Sequence, residues 1–227
     1  MILEDVVMLG RTMPEMSKKH GRVVCSAGYS KELGGFVRLY PISEYWKLPR
    51  WSVLRVPVER PNCDSRKESW RIRGDVMPEI VGKVQKDEQF GYLRSIQASS
   101  IDSLNDSRMS LGIIEPRRLA WRFDKLKPNE EYQMELLPKE EAQQQHKPRL
   151  MFDDADGPHD LQLRDWGCQC LLNKGYKRHQ LWEALKLTDN TYDHLLFVGN
   201  HNHHRMSWLV ISLISKKATR NHELCLT

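Results

Sequence analysis

The sequence predicts an α+β protein, with a β-rich first half built as a barrel or twisted antiparallel sheet and a second half holding a buried β-hairpin and two helices. Three observations predict it. Runs that alternate apolar and polar residues recur through residues 1–124. Two late runs, Leu195–Val198 and Trp208–Ile214, are apolar on both faces, as strands covered on both sides are. Ahead of them, segments with helical spacing follow capping residues.

Taken in order, Val6–Leu9 and Val23–Ala27 read as strands around a polar stretch, Pro14–His20, with room for one or two helical turns. Phe36–Tyr40 alternates, with Val37 and Leu39 on one face and Phe36, Arg38 and Tyr40 on the other; Pro41 ends the run. Ser52–Arg60 turns Leu54, Val56 and Val58 inward, and Pro57, which has no N–H to donate, marks an edge strand or a bulge. Trp70 and Ile72 share a face opposite Arg71 and Arg73. Ser99 or Ser100 can cap a helix over Ser100–Arg108. Leu119–Phe123 returns to a strand with Arg118 and Arg122 outward. Residues 125–148, polar and bracketed by prolines, suit a linker or a long insertion. Arg149–Phe152 and His159–Arg164 read as short strands, Asp165 caps a helix over Trp166–Leu172, and Lys177–Leu187 has helical spacing. No internal repeat is evident. The organisation expected is 1–124 basic and β-rich, 125–148 linking, and 149–227 α+β, together making one fold unit.

Charge separates the halves. Of 227 residues carrying a net charge of +5, the first 124 hold 21 Lys+Arg against 16 Asp+Glu, which accounts for the whole excess. Arginine outnumbers lysine 14 to 7 there, and it falls on the non-core face of the expected strands: Arg38, Arg55, Arg71, Arg73, Arg118 and Arg122. Guanidinium forks suit phosphates, and the interleaved Phe36, Tyr40, Trp46 and Trp51 suit base stacking. The competing reading is that these arginines cover a solvated sheet face. Five cysteines, Cys25, Cys63, Cys168, Cys170 and Cys225, are too few for a disulfide framework, so a reducing compartment is expected. No basic leader and no apolar run near 18 residues occurs, which leads to the expectation of a cytoplasmic protein without a membrane partner.

Three constellations are candidates for chemistry. Cys168, Cys170 and His179 form a weak metal set, because Cys-x-Cys on a helix points its thiols apart; no metal or other cofactor is expected. Asp64-Ser-Arg-Lys-Glu-Ser-Trp-Arg71 crowds acids and bases into one loop: Asp64 or Glu68 could take a proton, while Arg66, Ser69 and Arg71 could hold a phosphate. Asp165 and Trp166, with His159, stand at a helix start that either simply caps or faces a cleft, and Asn200 and His201 open the polar loop of the late hairpin. Walker, Rossmann, His-Glu-x-x-His and Gly-x-Ser-x-Gly signatures are absent from the sequence.

The ordered blocks Val24-Cys-Ser-Ala-Gly28, Gly35-Phe-Val-Arg-Leu-Tyr-Pro41, Asp64-Ser-Arg-Lys-Glu-Ser69, Ser110-Leu-Gly-Ile-Ile-Glu-Pro116, Arg164-Asp-Trp166, Leu196-Phe-Val-Gly199 and Trp208-Leu-Val-Ile211 resemble an uncharacterised group of prokaryotic and viral hypothetical proteins. The resemblance implies one fold unit and no transferable activity, and it singles out Tyr40, Asp64, Arg66, Ser69, Asp165 and Trp166. In that group a Cys/His-rich element precedes the Asp-Trp block; the corresponding stretch here has His159 and no cysteine, which counts against a metal. The function expected is nucleic-acid binding, to DNA or RNA, in a prokaryotic or phage defence, counter-defence or nucleic-acid-modification system. One alternative is a nuclease- or hydrolase-type enzyme working through Asp64, Glu68 or Asp165. A second is a protein-interaction subunit or inhibitor in a larger ribonucleoprotein complex, anchored by Tyr45, Trp46 and Trp51.

Overall fold

The structure, a computed structural model, describes residues 1–17, 21–125 and 146–218. His20, most of the 125–148 segment and Cys225 lie outside the described residues.

The first half supplies β1 (Ile2–Arg11), β2 (Glu15–Ser17), β3 (Gly21–Ser30), β4 (Gly35–Ser43), β5 (Ser52–Glu59), β6 (Ser69–Ile72) and β7 (Glu79–Lys83). Strands β1-β3-β4-β6-β5 pair in that order and β5 returns to β1, closing a five-stranded barrel. Its neighbours are antiparallel except β4 and β6, which run parallel through Arg38 opposite Ser69 and Leu39 opposite Trp70. Period-two alternation is what fills the barrel: Leu3, Val6, Met8, Val37, Leu39, Leu54, Val56 and Val58 point inward with Trp70.

Three local expectations need correction. Glu15–Ser17 is a strand rather than helical turns, because it continues the ladder on β3 with Glu15 opposite Val23. Strand β4 runs through Pro41 to Ser43, since Ile42 still pairs with Val24 and fills the barrel. Nor is β5 an edge strand; of the two alternatives the bulge is the one with support, since its ladders with β1 and β7 each carry a register shift. One of its sides meets β1, and the other meets β7 up to Arg55 and β6 from Val58, so Pro57 sits where the neighbour changes and a donor is not required.

The chain continues through α1 (Gln89–Arg94), β8 (Gln97–Ala98), α2 (Ile101–Asp106), β9 (Leu111–Ile114), β10 (Arg117–Lys125), β11 (His146–Asp153), β12 (Pro158–Gln162), α3 (Trp166–Asn173), α4 (Arg178–Ala184), β13 (Tyr192–Asn200) and β14 (Trp208–Lys217). Ser100 caps α2 in a reciprocal capping box with Ser103, and Asp165 caps α3 by accepting from the Cys168 amide. Lys125 pairs with His146, so the residues on either side of 126–145 are partners in one hairpin.

A second ring emerges from these strands. β9 and β10 are separated by Glu115 and Pro116; β10 pairs with β11 and β11 with β12. Just beyond β12, Leu163 forms a parallel bridge to Val210 of β14, which pairs with β13, which pairs with β9. Numbering only barrel strands, and taking β9 with β10 as one, both rings read 1-2-3-5-4-1 with strands 3 and 5 parallel. That is the connectivity of the OB barrel. The two halves are thus a repeat of topology that the sequence does not display, because an alternating pattern fixes which face is buried and leaves the pairing order open.

Leu150, Phe152, Leu163, Val198 and Val210 fill the second barrel, closed by Cys168 of α3 and Leu181 and Trp182 of α4. The outer face of its β9, β13 and β14 packs on the outer face of the first barrel, bringing Leu111, Ile113, Phe197 and Ile211 against Val7, Leu9, Ala27 and Phe36. Phe36 stacks on Phe197 with centroids 5.8 Å apart. The late hairpin is therefore covered by its own helices on one side and by the first barrel on the other.

Candidate functional site

In OB barrels the outer face of strands 2 and 3 is the usual ligand surface. The equivalent strands of the first barrel, β3 and β4, carry Phe36, Arg38 and Tyr40 on one face as the alternation predicts, yet that face is not solvated. The second barrel lies on it. Arg38 is 4% exposed and donates to the Ser110 carbonyl at 2.7 Å, with a longer contact to the Cys25 sulfur. Its Nε has no partner. Burial, opposed by the neighbouring Cys25, lowers its pKa. Glu68, 3% exposed, accepts from the Ser110 amide at 2.8 Å and the Ser110 hydroxyl at 2.9 Å. Two buried opposite charges are thereby joined through Ser110, a joint between barrels rather than a binding face.

Beside it, Asp64 is gripped by Arg66 (Nε to Oδ1 2.9 Å, Nη2 to Oδ2 2.6 Å) and by the Ser69 hydroxyl at 2.7 Å. Arg66 also donates to the Asn200 carbonyl at 2.6 Å, tying the loop before β6 to the end of β13. His201 lies near enough to feel Glu15, Arg164 and Arg66; burial lowers its pKa. Tyr40 stays 37% exposed at the rim, and burial followed by Glu15 raises its pKa. The structure thus gathers Arg38, Tyr40, Asp64, Arg66, Glu68, Ser69, Asn200 and His201 along one seam. Burial alone would raise the Asp64 pKa, but the hydrogen bonds from Arg66 and Ser69 outweigh it and hold the carboxyl at about 2. A carboxylate with a lowered folded pKa contributes stability that is present above its unfolded pKa and lost as pH falls through the folded value. Melts between pH 4 and 2 are expected to show wild type losing stability more steeply than Asp64→Asn; equal slopes would refute the assignment.

The remaining predicted arginines do not converge. Arg55 pairs with Glu4 at 3.0 Å and Arg71 with Glu59, both on the first barrel, and Arg73 is exposed. Arg118 pairs with Asp153, and Arg122 with Asp160 at 2.6 Å on the sheet of the second barrel. Glu79 and Glu59 stand opposite Arg55 and Arg71 across the ladder, while Arg122 shares Asp160 with its own cross-strand neighbour Arg149, so these four arginines are paired with acids on separate sheets instead of forming a basic stripe. Cys168 is buried, and its pKa is pushed well up by burial; Cys170 is half-buried and His179 exposed. Among the described residues no group of His, Cys, Asp or Glu is arranged to hold a metal. His159 meets Asp154 at 2.7 Å, and the Asp154 carboxylate also accepts from the Ile101 amide at 2.8 Å, a contact internal to the second barrel.

At the other end of the seam a cleft of about 440 Å³ opens between the barrels, lined by Arg11, Lys47, Leu48, Pro49, Arg50 and Trp166 above a floor of Gly10 and Asp165. Thr12, beside Arg11, bridges to Asp165 and so registers the two walls. Asp165, 3% exposed, accepts from Cys168 N at 3.0 Å, Ser212 Oγ at 2.6 Å, Leu213 N at 3.2 Å and Arg50 Nη2 at 3.0 Å. Arg11 lies 5.2 Å over the Trp166 ring and donates to the carbonyls of Trp46 and Glu44, pinning the loop after β4. Burial lowers the Arg11 pKa. Lys47 is exposed and has no hydrogen-bond or ion-pair partner among the described residues. Three cations against one carboxylate leave two positive charges. Asp165 and Trp166 are legible in the sequence, whereas Arg11, Lys47 and Arg50 are not singled out there; the aromatic and cationic run Tyr45–Trp51 is the signal that marks Lys47 and Arg50.

No helix among the described residues is long and apolar enough to cross a membrane. Residues 3–97, spanning the first barrel, β7 and α1, match the family model described as Domain of unknown function (DUF8758). None of the curated proteins matches the chain. Among solved structures, the chain is similar at 8% identity and a TM-score of 0.34, over 95% of this chain and 91% of the other, to one described as "Molecular basis for abrogation of activation of pro-inflammatory cytokines".

Proposed function

We propose that the protein binds single-stranded nucleic acid at the mouth of the cleft between its barrels, in a prokaryotic or phage defence, counter-defence or nucleic-acid-modification system. The observation that carries this reading is the clustering of Arg11, Lys47 and Arg50 with Trp166 around one cleft, next to Tyr45, which is 83% exposed on the same loop. Cations that hold phosphates and aromatic faces that stack on bases are what sequence-tolerant single-strand binding requires. The OB connectivity adds an analogy of fold, which bears on the class of ligand and not on the surface used. The hydrolytic reading loses support from the geometry of its acids. Asp64 is held ionised by Arg66, Glu68 is buried on Ser110, and Asp165 has both oxygens engaged, so none is poised to take a proton.

Binding through about three phosphate contacts weakens about 20-fold between about 50 and about 200 mM salt on a single strand. Titration of short DNA and RNA oligonucleotides against salt checks this, and Lys47→Ala is expected to lower the log–log slope by about 0.7. Absence of binding at low salt, or affinity indifferent to salt, would remove the proposal.

A further inference from the structure

The first barrel leaves one sheet edge open. Strand β7 pairs with β5, and among the described residues no strand pairs with its other side. Glu79, Ile80, Val81 and Lys83 are exposed and Gly82 is half-buried. Backbone N–H and C=O groups along such an edge are a template for another strand. The edge is also apolar for its length: Val76 and Met77 on the approach, and Ile80 and Val81 within it, are 45–58% exposed. Val81 is released further by the ladder itself. Gly82 stands opposite Val53 and Ile80 opposite Leu54, so Val81 has no residue across from it on β5.

We propose that the protein forms a two-fold dimer in which β7 pairs antiparallel with β7 of a second copy, centred on Val81. What selects this occupant is the charge pattern of Glu79-Ile-Val-Gly-Lys83. Antiparallel pairing about Val81 sets Glu79 opposite Lys83 of the second copy and, by the two-fold, Lys83 opposite its Glu79. Ile80 then lies across from Gly82 of the second copy, where the missing side chain leaves room for a branched one, and the two Val81 residues meet on the axis. In-register parallel pairing would instead oppose Glu79 to Glu79 and Lys83 to Lys83, and a slip of one residue in the antiparallel pair would break both ion pairs. The strand is complementary to itself in one orientation and one register, which is what an isologous interface requires. None of the residues lining the cleft belongs to β7, so the dimer stands or falls independently of the nucleic-acid reading.

Sedimentation equilibrium of the full chain checks the stoichiometry, and a dimer with a Kd of about 100 μM or less is expected. Lys83→Glu sets two glutamates opposite Glu79 across the axis and is expected to weaken the dimer about tenfold or more, because two attractive pairs become repulsive. The swap Glu79→Lys with Lys83→Glu restores opposite charges in the same register and is expected to recover wild-type dimerisation. Glu79 meets Arg55 only at 3.9 Å on the exposed surface, so its replacement costs the monomer little. Val81→Cys, in a chain whose exposed Cys63 is replaced by Ser, is expected to form an intermolecular disulfide on mild oxidation, whereas Ile80→Cys is not. Antiparallel partners on the axis have Cα atoms about 4.5–5.5 Å apart, within disulfide range, and the two copies of residue 80 lie beyond it. A chain that stays monomeric at about 100 μM overturns the proposal, as does a dimer that fails either the charge reversal or the cross-link.

Discussion

Replacing Asp165 by alanine is expected to cost about 3–5 kcal/mol, the range for breaking a buried charged pair. The side chain serves three structures at once. Its Oδ1 caps α3 through the Cys168 amide, a role worth about 1 kcal/mol by itself. Its Oδ2 accepts from the Ser212 hydroxyl and the Leu213 amide of β14, which would otherwise be buried donors without acceptors at about 1–3 kcal/mol each. It also fixes Arg50, whose guanidinium, a third exposed, can recover some hydration, so the total falls below the sum of the parts. Asp165→Asn keeps an acceptor for the cap and is expected to lose less. Chemical denaturation of the three proteins checks the order, and an alanine variant within 1 kcal/mol of wild type would show that the carboxylate is not the hub described.

Glu68→Gln is expected to cost about 1.5–3 kcal/mol, the range for hydrogen bonds to a charged group, although the amide is nearly isosteric. An amide oxygen can still accept from Ser110 N, and the Ser110 hydroxyl can turn to accept, so hydrogen bonding is largely kept. What is lost is the charge that strengthens both bonds from Ser110, the residue to which Arg38 also donates. Arg38→Met is expected to be destabilising for the mirror reason, and the double variant to cost less than the two singles added together. Strict additivity in the double-mutant cycle would mean that the two charges do not see each other through Ser110.

Much of the local structure was legible in the sequence, because it is written in alternation. Leu54, Val56 and Val58 read as inward and are; Trp70 and Ile72 oppose Arg71; Ser100 and Asp165 read as caps and cap. Pairing was not legible, since the same alternating strands can close a ring or lie in a sheet, and the parallel contacts of β4 with β6 and of Leu163 with Val210 link residues far apart in sequence. The same gap misled the reading of Arg38. Its face was identified correctly, but a face becomes a ligand surface only if nothing packs on it, and what packs on it comes from Leu111 to Ile211. Site residues split along that line. Asp64, Arg66, Asp165 and Trp166 stand out within local blocks, whereas Lys47 and Arg50 acquire meaning only when a second barrel supplies the opposite wall.

The stacking of Phe36 on Phe197 and the joining of Arg38 to Glu68 through Ser110 have a consequence for how such chains diverge. Each barrel is part of the other's hydrophobic environment, so the two halves do not vary independently. A smaller ring at Phe36 asks for bulk at Phe197, and loss of the guanidinium at Arg38 asks for loss of the carboxylate at Glu68. Substitutions at these positions should therefore travel in pairs across the contact between the barrels, while Tyr45 and Lys47, facing solvent at the cleft, remain free to follow whatever the cleft is selected to hold.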